Sequence, residues 1–434
     1  MRIAWFTHRY YPCIGGAETY GRAMVRRFVA NGHAVDVFTS DAHDLWYFNN
    51  KARRRLDEPG VANVDGATVH RFPVRHFPLQ RYFGRLLSYA PHWPTRCRAA
   101  SYMPIIPGLG RVRGNYDLVV AVGFPYTVFS YSALRTARAA GAPLILTPFL
   151  HLATPDDPYR KHYTRPHQIR LLAEADTVVV VTRLEADAVA SWGIPRSRIL
   201  LLSMAVEHED VTGGDPRVIR ERLSIPPGTR VVGHLATLDP NKGSTDLVRA
   251  VAEINHARPA TDPVQLLMAG TTSPDFERFL AEYPGGVPPW LRLLGVLSNE
   301  DRAHFYAALD VFSMPSRTDS FGIVFLEAWA NGLPVVAAAA GGVPEVVQHG
   351  ETGLLVPFGD VTGLAGSLNA LLTDPHRARS MGAAGRALVN AGYTWDDRHN
   401  TLFHRAESLV SSRRGGLQAI TQPVKTRTGA VTRV

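Results

Sequence analysis

The segment from Pro315 to Val347, PSRTDSFGIVFLEAWANGLPVVAAAAGGVPEVV, sets two carboxylates, Asp319 and Glu327, on either side of the turn Ser320–Phe321–Gly322. The strand pattern VFSMP ends just before this turn and the apolar helix pattern IVFLEAWANG starts just after it. The backbone N–H groups of Phe321, Gly322 and Ile323 are therefore expected at a helix N-terminus that faces a ligand. Glu327 falls inside the helix among apolar neighbours. A carboxylate buried there requires donors, and ligand hydroxyls are suitable ones; the other reading is a helix-surface glutamate that meets water or an arginine.

Three further positions have chemical potential. Gly15 and Gly16, in CIGGAE, stand at a strand-to-helix junction, where the missing side chains suit either a tight turn or an anion cradle. Lys242 precedes Gly243, Ser244 and Thr245 in LDPNKGSTD. That order suits a phosphate contact without being a P-loop, and a solvated lysine beside a helix cap has the same spacing. His151 follows the strand pattern LILTPF at the end that would face a cleft, with a purely structural histidine as the alternative. The seventeen histidines show no paired ligand spacing, no Asp-x-Asp occurs, and the only cysteines are Cys13 and Cys97. Neither a protein-bound metal nor a disulfide framework is expected.

These residues need a scaffold, and 434 residues with 45% apolar content suit two domains, each with its own core. RIAWFT reads as a strand, ETYGRAMVRRFVANG as a helix with Tyr20, Met24, Phe28 and Val29 on one face, and HAVDVFT as the next strand. Such βαβ units enforce a parallel sheet. After an irregular stretch the alternation resumes at YDLVVAVG, breaks at the proline- and glycine-rich VTGGDPRVIRERLSIPPGTR, and restarts at VVGHLAT. The predicted fold class is α/β, with two doubly wound Rossmann-like domains over residues 1–205 and 206–392. Ligands of such sheets bind beyond the C-terminal strand ends, here in the interdomain cleft. A helix over 393–412 is expected to pack back on the first domain, and the weakly apolar 413–434 stretch is expected to be disordered.

A formal charge of +9 permits nucleic acid, an acidic membrane surface or phosphorylated substrates as partners. Arginines crowd the first half, among them Arg71, Arg75, Arg81, Arg85, Arg96, Arg98, Arg111 and Arg113, interleaved with Phe, Tyr, Trp and Pro. Such a mixture over 71–113 suits an anionic membrane surface, an ordinary packed insertion being the alternative. No nucleic-acid recognition motif accompanies the charge, so nucleic acid is not expected. No apolar run is long enough to span a bilayer and MRIAWF has no signal-peptide pattern. The expectation is a cytoplasmic protein, with peripheral contact at the inner face of the membrane left open.

Taken together, these segments resemble the GT-B-fold retaining glycosyltransferases of family 4, the glycosyl transferases group 1. The resemblance rests on YYPCIGGAETYGRAMVRRFVANGHAVDVFT, the strand leading to His151, GHLATLDPNKG, and above all the stretch from PSRTDSFG to HGETGLLVPFGD. It implies transfer of a sugar from a UDP- or GDP-sugar to a hydroxyl of a sugar, glycolipid or similar acceptor, with retention of configuration, without cofactor or metal. By the resemblance, His151, Lys242 and Asp319 are the catalytic residues. Gly15, Gly16, His234, Lys242, Asp319, Phe321, Gly322, Ile323 and Glu327 would bind the donor, with Asp319 toward sugar hydroxyls and Glu327 toward the ribose. Lys242 would stabilise the leaving diphosphate, and the glycine pair would close over the donor. The pattern departs from the family at His234, where arginine is usual, at Asp319, where the first of two glutamates is usual, and at SMAVEHED, near the hinge at Ala205. A non-catalytic sugar-nucleotide-binding protein of the same fold is the alternative.

Overall fold

The computed structural model describes residues 1–57, 60–99, 104–154 and 156–421. Its first sheet holds β1 (Arg2–Thr7), β2 (Ala34–Ser40), β3 (Gly60–Val64), β4 (Ala67–Phe72), β5 (Leu118–Val122), β6 (Leu144–Thr147), β7 (Thr177–Val180) and β8 (Ile199–Leu201). They lie in the order β3-β4-β2-β1-β5-β6-β7-β8, parallel except for β3. Ile3 is opposite both Val35 and Leu118, so β1 is central, and its residues Ile3 to Phe6 are fully buried. A strand covered on both faces reads as a continuous apolar run, as RIAWFT does. The helix Gly16–Ala30 returns the chain to β2 and buries Tyr20, Met24 and Phe28, while Val29 is only half-buried.

The irregular stretch contains a hairpin that no apolar alternation announces. Asp65 and Gly66 take φ values of 52° and 83°, the paired left-handed residues of a tight turn that matches strand twist. The Asp-Gly pair between VANV and ATVH is the local signal for it.

The second sheet holds β9 (Val231–Leu235), β10 (Gln265–Ala269), β11 (Leu291–Gly295), β12 (Val311–Met314), β13 (Val335–Ala338) and β14 (Gly353–Val356) in the order β11-β10-β9-β12-β13-β14. All its strands are parallel. The segment between β8 and β9 is built from two short helices, His208–Val211 and Pro216–Arg222.

The last helix, Trp395–Thr421, lies on the first domain. Arg27 Nε donates to Asp396 at 2.6 Å, and His399 meets Phe28 edge-on with centroids 4.7 Å apart. Disorder from residue 413 is corrected by this helix, which runs on to Thr421. Its extension has a physical cause, because Arg413 pairs with Asp176 at 2.9 Å and Arg414 pairs with Asp117. Residues 422–434 lie outside the described residues. Where the chain crosses between domains a second time, Tyr393 O accepts from Val206 N–H at 3.1 Å, joining the two crossings.

Candidate active site between the two domains

A cavity of about 1340 Å³ lies between the sheets. Its walls come from residues that follow the C-terminal ends of the strands: His8 and Arg9 after β1, Gly123 after β5, His151 after β6, Thr237 after β9 and Asp319 after β12. Parallel sheets place ligands there because the connections diverge at those ends.

On the second-domain wall, Lys242 Nζ and Asp319 Oδ2 are 2.6 Å apart. Lys242 ends a single 3₁₀ turn, Pro240–Lys242, in which the Asp239 side chain accepts from the Asn241 N–H, and Gly243 then turns left-handed into the helix Ser244–His256. Burial works against the ammonium, and the Asp319 carboxylate more than compensates, holding Lys242 above the ordinary lysine range. Burial likewise opposes the Asp319 charge, but Lys242, then His151, and the Phe321 N–H draw it below the usual carboxylate range. The N–H of Phe321 reaches Asp319 Oδ1 at 3.2 Å, so this expected ligand donor is engaged within the protein.

Glu327 is also fully partnered. Its Oε1 accepts from Arg302 at 3.0 Å and its Oε2 from the Tyr306 hydroxyl at 2.7 Å. Arg302 and Tyr306 are one turn apart on the helix Asn299–Ala307, so both reach the same carboxylate. Burial opposes the Arg302 charge, and Glu327 raises it above the ordinary range. Neither residue was identified from the sequence; a buried glutamate demands donors, but nothing in the spacing says which helix supplies them.

His151 lines the cavity from the first domain, its ring stacked on Tyr163 with centroids 4.9 Å apart. Burial, reinforced by the Lys242 charge, pushes its pKa down to about 4, so the imidazole is neutral near pH 7. Gly15 and Gly16 line the cavity as well. A side chain at Gly15 would collide with the Glu18 carboxylate, and one at Gly16 would meet Ile323 of the second domain at 4.0 Å. The two glycine segments therefore come together across the interdomain cleft. Gly322, with φ of 85°, turns the chain into the helix Ile323–Ala330 without a side-chain cap.

His234 departs from its expected place. It is fully buried on β9 and is absent from the cavity lining, with Nδ1 2.8 Å from Ser313 O and Nε2 2.9 Å from Ser244 Oγ. Burial lowers its pKa to about 4. A neutral ring bonded at both nitrogens ties β9 to β12 and to the Ser244 helix; it offers no cation to a phosphate.

A buried cluster that sequence reasoning missed completes the first-domain wall. Arg9 donates to Glu18 Oε1 at 2.8 Å and to His43 O at 2.9 Å, while His8 Nε2 is 3.3 Å from the same Glu18 oxygen. Burial disfavours the Glu18 charge, and Arg9 and His8 overcome that, holding it well below the carboxylate range. Arg9 lies in a loop, where no periodicity marks it.

Contacts across the cleft bring the walls together. Arg53 grips Glu277 through two bonds of 3.0 Å, Arg317 donates to Asp157 at 2.7 Å, and Thr318 Oγ1 accepts from Ala153 N–H at 3.0 Å.

Residues 15–205 match the description of a glycosyl transferase 4-like domain and residues 229–374 that of glycosyl transferases group 1. A D-inositol 3-phosphate glycosyltransferase of Corynebacterium aurimucosum is 34% identical over 402 residues, covering 88% of this chain and 90% of the relative. The chain belongs to the group 1 glycosyltransferases. A GDP-mannose-dependent monoacylated alpha-(1-6)-phosphatidylinositol monomannoside mannosyltransferase of Corynebacterium glutamicum is 38% identical over 192 residues, 43% of this glycosyltransferase and 49% of that one. HepE of Anabaena, solved with UDP-glucose, shares the GT-B fold with a TM-score of 0.70, 19% identity, and coverage of 94% of this chain and 100% of that chain. Among the described residues no group of three His, Cys, Asp or Glu side chains could hold a metal ion, and no helix is long and apolar enough to cross a membrane.

Proposed function

We propose that this glycosyltransferase moves a hexosyl group from a UDP- or GDP-sugar to a hydroxyl of a phosphorylated acceptor, with retention of configuration and without a metal. The observation that carries this reading is the Lys242–Asp319 pair, set on the cavity wall opposite a neutral His151. Lys242 is fixed where a leaving diphosphate gains negative charge, the role a divalent cation has in other transferases. Asp319 orients the ammonium and accepts from donor-sugar hydroxyls, and His151 lines the reacting carbon. Glu327, held by Arg302 and Tyr306, presents a fixed carboxylate edge to the ribose. Retention needs no second enzyme carboxylate when the departing phosphate accepts the acceptor proton on the same face.

The acceptor reading rests on the first-domain wall and on relatives whose names specify inositol phosphate or phosphatidylinositol mannoside. Arg85, Arg96, Lys161 and Arg165 line the cavity there. No Asp or Glu occurs between Asp65 and Asp117. In the same stretch the helix Gln80–Leu87 and its flanks form a lip of the cavity with Leu79, Tyr82 and Tyr89 exposed by 63%, 74% and 78%. Exposed aromatic and aliphatic side chains beside uncompensated arginines match an anionic bilayer. The lip would bring a lipid-borne acceptor to the cavity.

Nucleotide release from a panel of UDP-, GDP- and ADP-sugars, with EDTA throughout and with or without a membrane-lipid extract, tests both parts. Release from one UDP- or GDP-hexose that EDTA leaves unchanged, with the donor's anomeric configuration kept in the product by NMR, is expected. Dependence on added Mg²⁺ or Mn²⁺, or an inverted product, would overturn the mechanism. Co-sedimentation with anionic but not neutral vesicles is expected, and absence of binding at low salt would remove the membrane contact.

A further inference from the structure

The segment that presents His151 is conformationally expensive. Phe149 and Ala153, which bracket it, both take left-handed backbone conformations, with φ of 51° and 42°. Residues with a Cβ adopt this region only when the surroundings over-determine it. Two contacts do so. Leu150 N–H donates to Glu185 Oε1 at 2.6 Å, and Ala153 N–H donates to Thr318 Oγ1 of the second domain at 3.0 Å.

Glu185 is buried in the first turn of the helix Arg183–Ser191, whose N-cap Thr182 bonds back to the Glu185 N–H. Its second oxygen accepts from Val181 N–H at 2.8 Å, so one carboxyl joins the end of β7 to the His151 segment. No cation is paired with it among the described residues; burial pushes its pKa up to about 8. A buried acid with no countercharge is a poor stabiliser, since an apolar side chain of the same size would avoid the desolvation cost. The same helix is contacted from the second domain: Glu345 accepts from Arg183 N–H at 2.7 Å and from Leu184 N–H at 2.6 Å.

We propose that Glu185 is a positioning residue for sugar transfer, holding the strained 149–153 segment so that His151 meets the donor only when the second domain supplies Thr318 and Glu345. The inference rests on the glycosyl-transfer reading above, through the place given to His151. Glu185 touches no ligand; it acts through the Leu150 backbone. Closure is thereby linked to the catalytic histidine by hydrogen bonds at both ends of one short segment.

The test compares Glu185→Gln, His151→Ala and the double variant, using whichever UDP- or GDP-hexose the wild-type enzyme turns over. A carboxamide keeps the size but turns one acceptor into a donor facing an N–H. Glu185→Gln is expected to lower kcat about 10- to 100-fold while UDP or GDP affinity by calorimetry changes less than threefold. The double variant is expected to be no slower than His151→Ala alone. Additive losses, or a parallel loss of nucleotide affinity, would overturn the proposal. If His151→Ala itself turns over normally, the glycosyl-transfer assignment of His151 is what fails. A readout independent of turnover is the His151 ring resonance by NMR, assigned through His151→Ala. Its shift in Glu185→Gln supports the proposal, and an unmoved resonance in a folded variant sinks it.

Discussion

The two walls of the cavity treat charge differently. On the second-domain wall both cations that line the cavity have a carboxylate within the protein, Lys242 with Asp319 and Arg302 with Glu327. On the first-domain wall Arg9 has such a partner, in Glu18, while among the described residues no ion pair engages Arg85, Lys161 or Arg165. A wall of satisfied pairs is preorganised and suits a donor whose charge changes during reaction. A wall with surplus positive charge suits an acceptor that brings its own negative charge. On the proposed reading, the difference separates the residues that bind the donor from those that select the acceptor.

The comparison can be broken most forcefully at Glu327. Glu327→Ala leaves the Arg302 guanidinium buried without its carboxylate. A loss of about 3–5 kcal/mol in urea unfolding of the second domain is expected. A loss under 1 kcal/mol would mean that the second wall is not preorganised by this pair. Lys242→Ala should lower kcat roughly 100- to 1000-fold in steady-state assays, with the fold kept by circular dichroism; an unchanged kcat would deny Lys242 its diphosphate role.

A pH scan follows in size. His234 is buried neutral with a pKa near 4, below the ordinary histidine value, so the unfolded chain binds its proton first as pH falls. Stability should therefore decline from about pH 6.5 downward, with the penalty complete below 4, on the order of 2 kcal/mol from this residue at pH 5. His234→Asn should flatten that slope in urea titrations, and an unaltered slope would contradict the neutral assignment. The smallest effect is on the first wall. Arg85→Ser with Arg165→Ser should raise acceptor KM several-fold and leave donor KM unchanged, whereas a change in donor KM would erase the contrast between the walls.

Much of this was legible from residue types because the second wall is compact in sequence. Asp319, Phe321, Gly322 and Glu327 fall within one strand-turn-helix unit, so local pattern places them all on one rim. Arg302 and Tyr306 could not be paired with Glu327 in advance, because they come from another helix and the contact is set by packing rather than by spacing. His234 failed for a different reason. On a strand buried on both faces the side chain turns to the core or to the cleft according to strand alternation, and an imidazole satisfied by Ser313 and Ser244 looks like a ligand residue until those partners are known. The helix beyond residue 412 was hidden because its support is remote in sequence, in Asp176 and Asp117 of the first domain.

The chain enters the second domain near Val206 and leaves it near Tyr393, and the two passages are bonded to each other. The two connections thus meet at one point instead of tethering the domains separately. A division of the molecule into halves in space is thus not a division along the polypeptide. Cutting after residue 205 would leave the first half without the helix that covers Phe28 and answers Asp117 and Asp176, so its missing piece would be its own last helix, made some 190 residues later. Synthesis must therefore finish before the first half is complete, although that half is translated first.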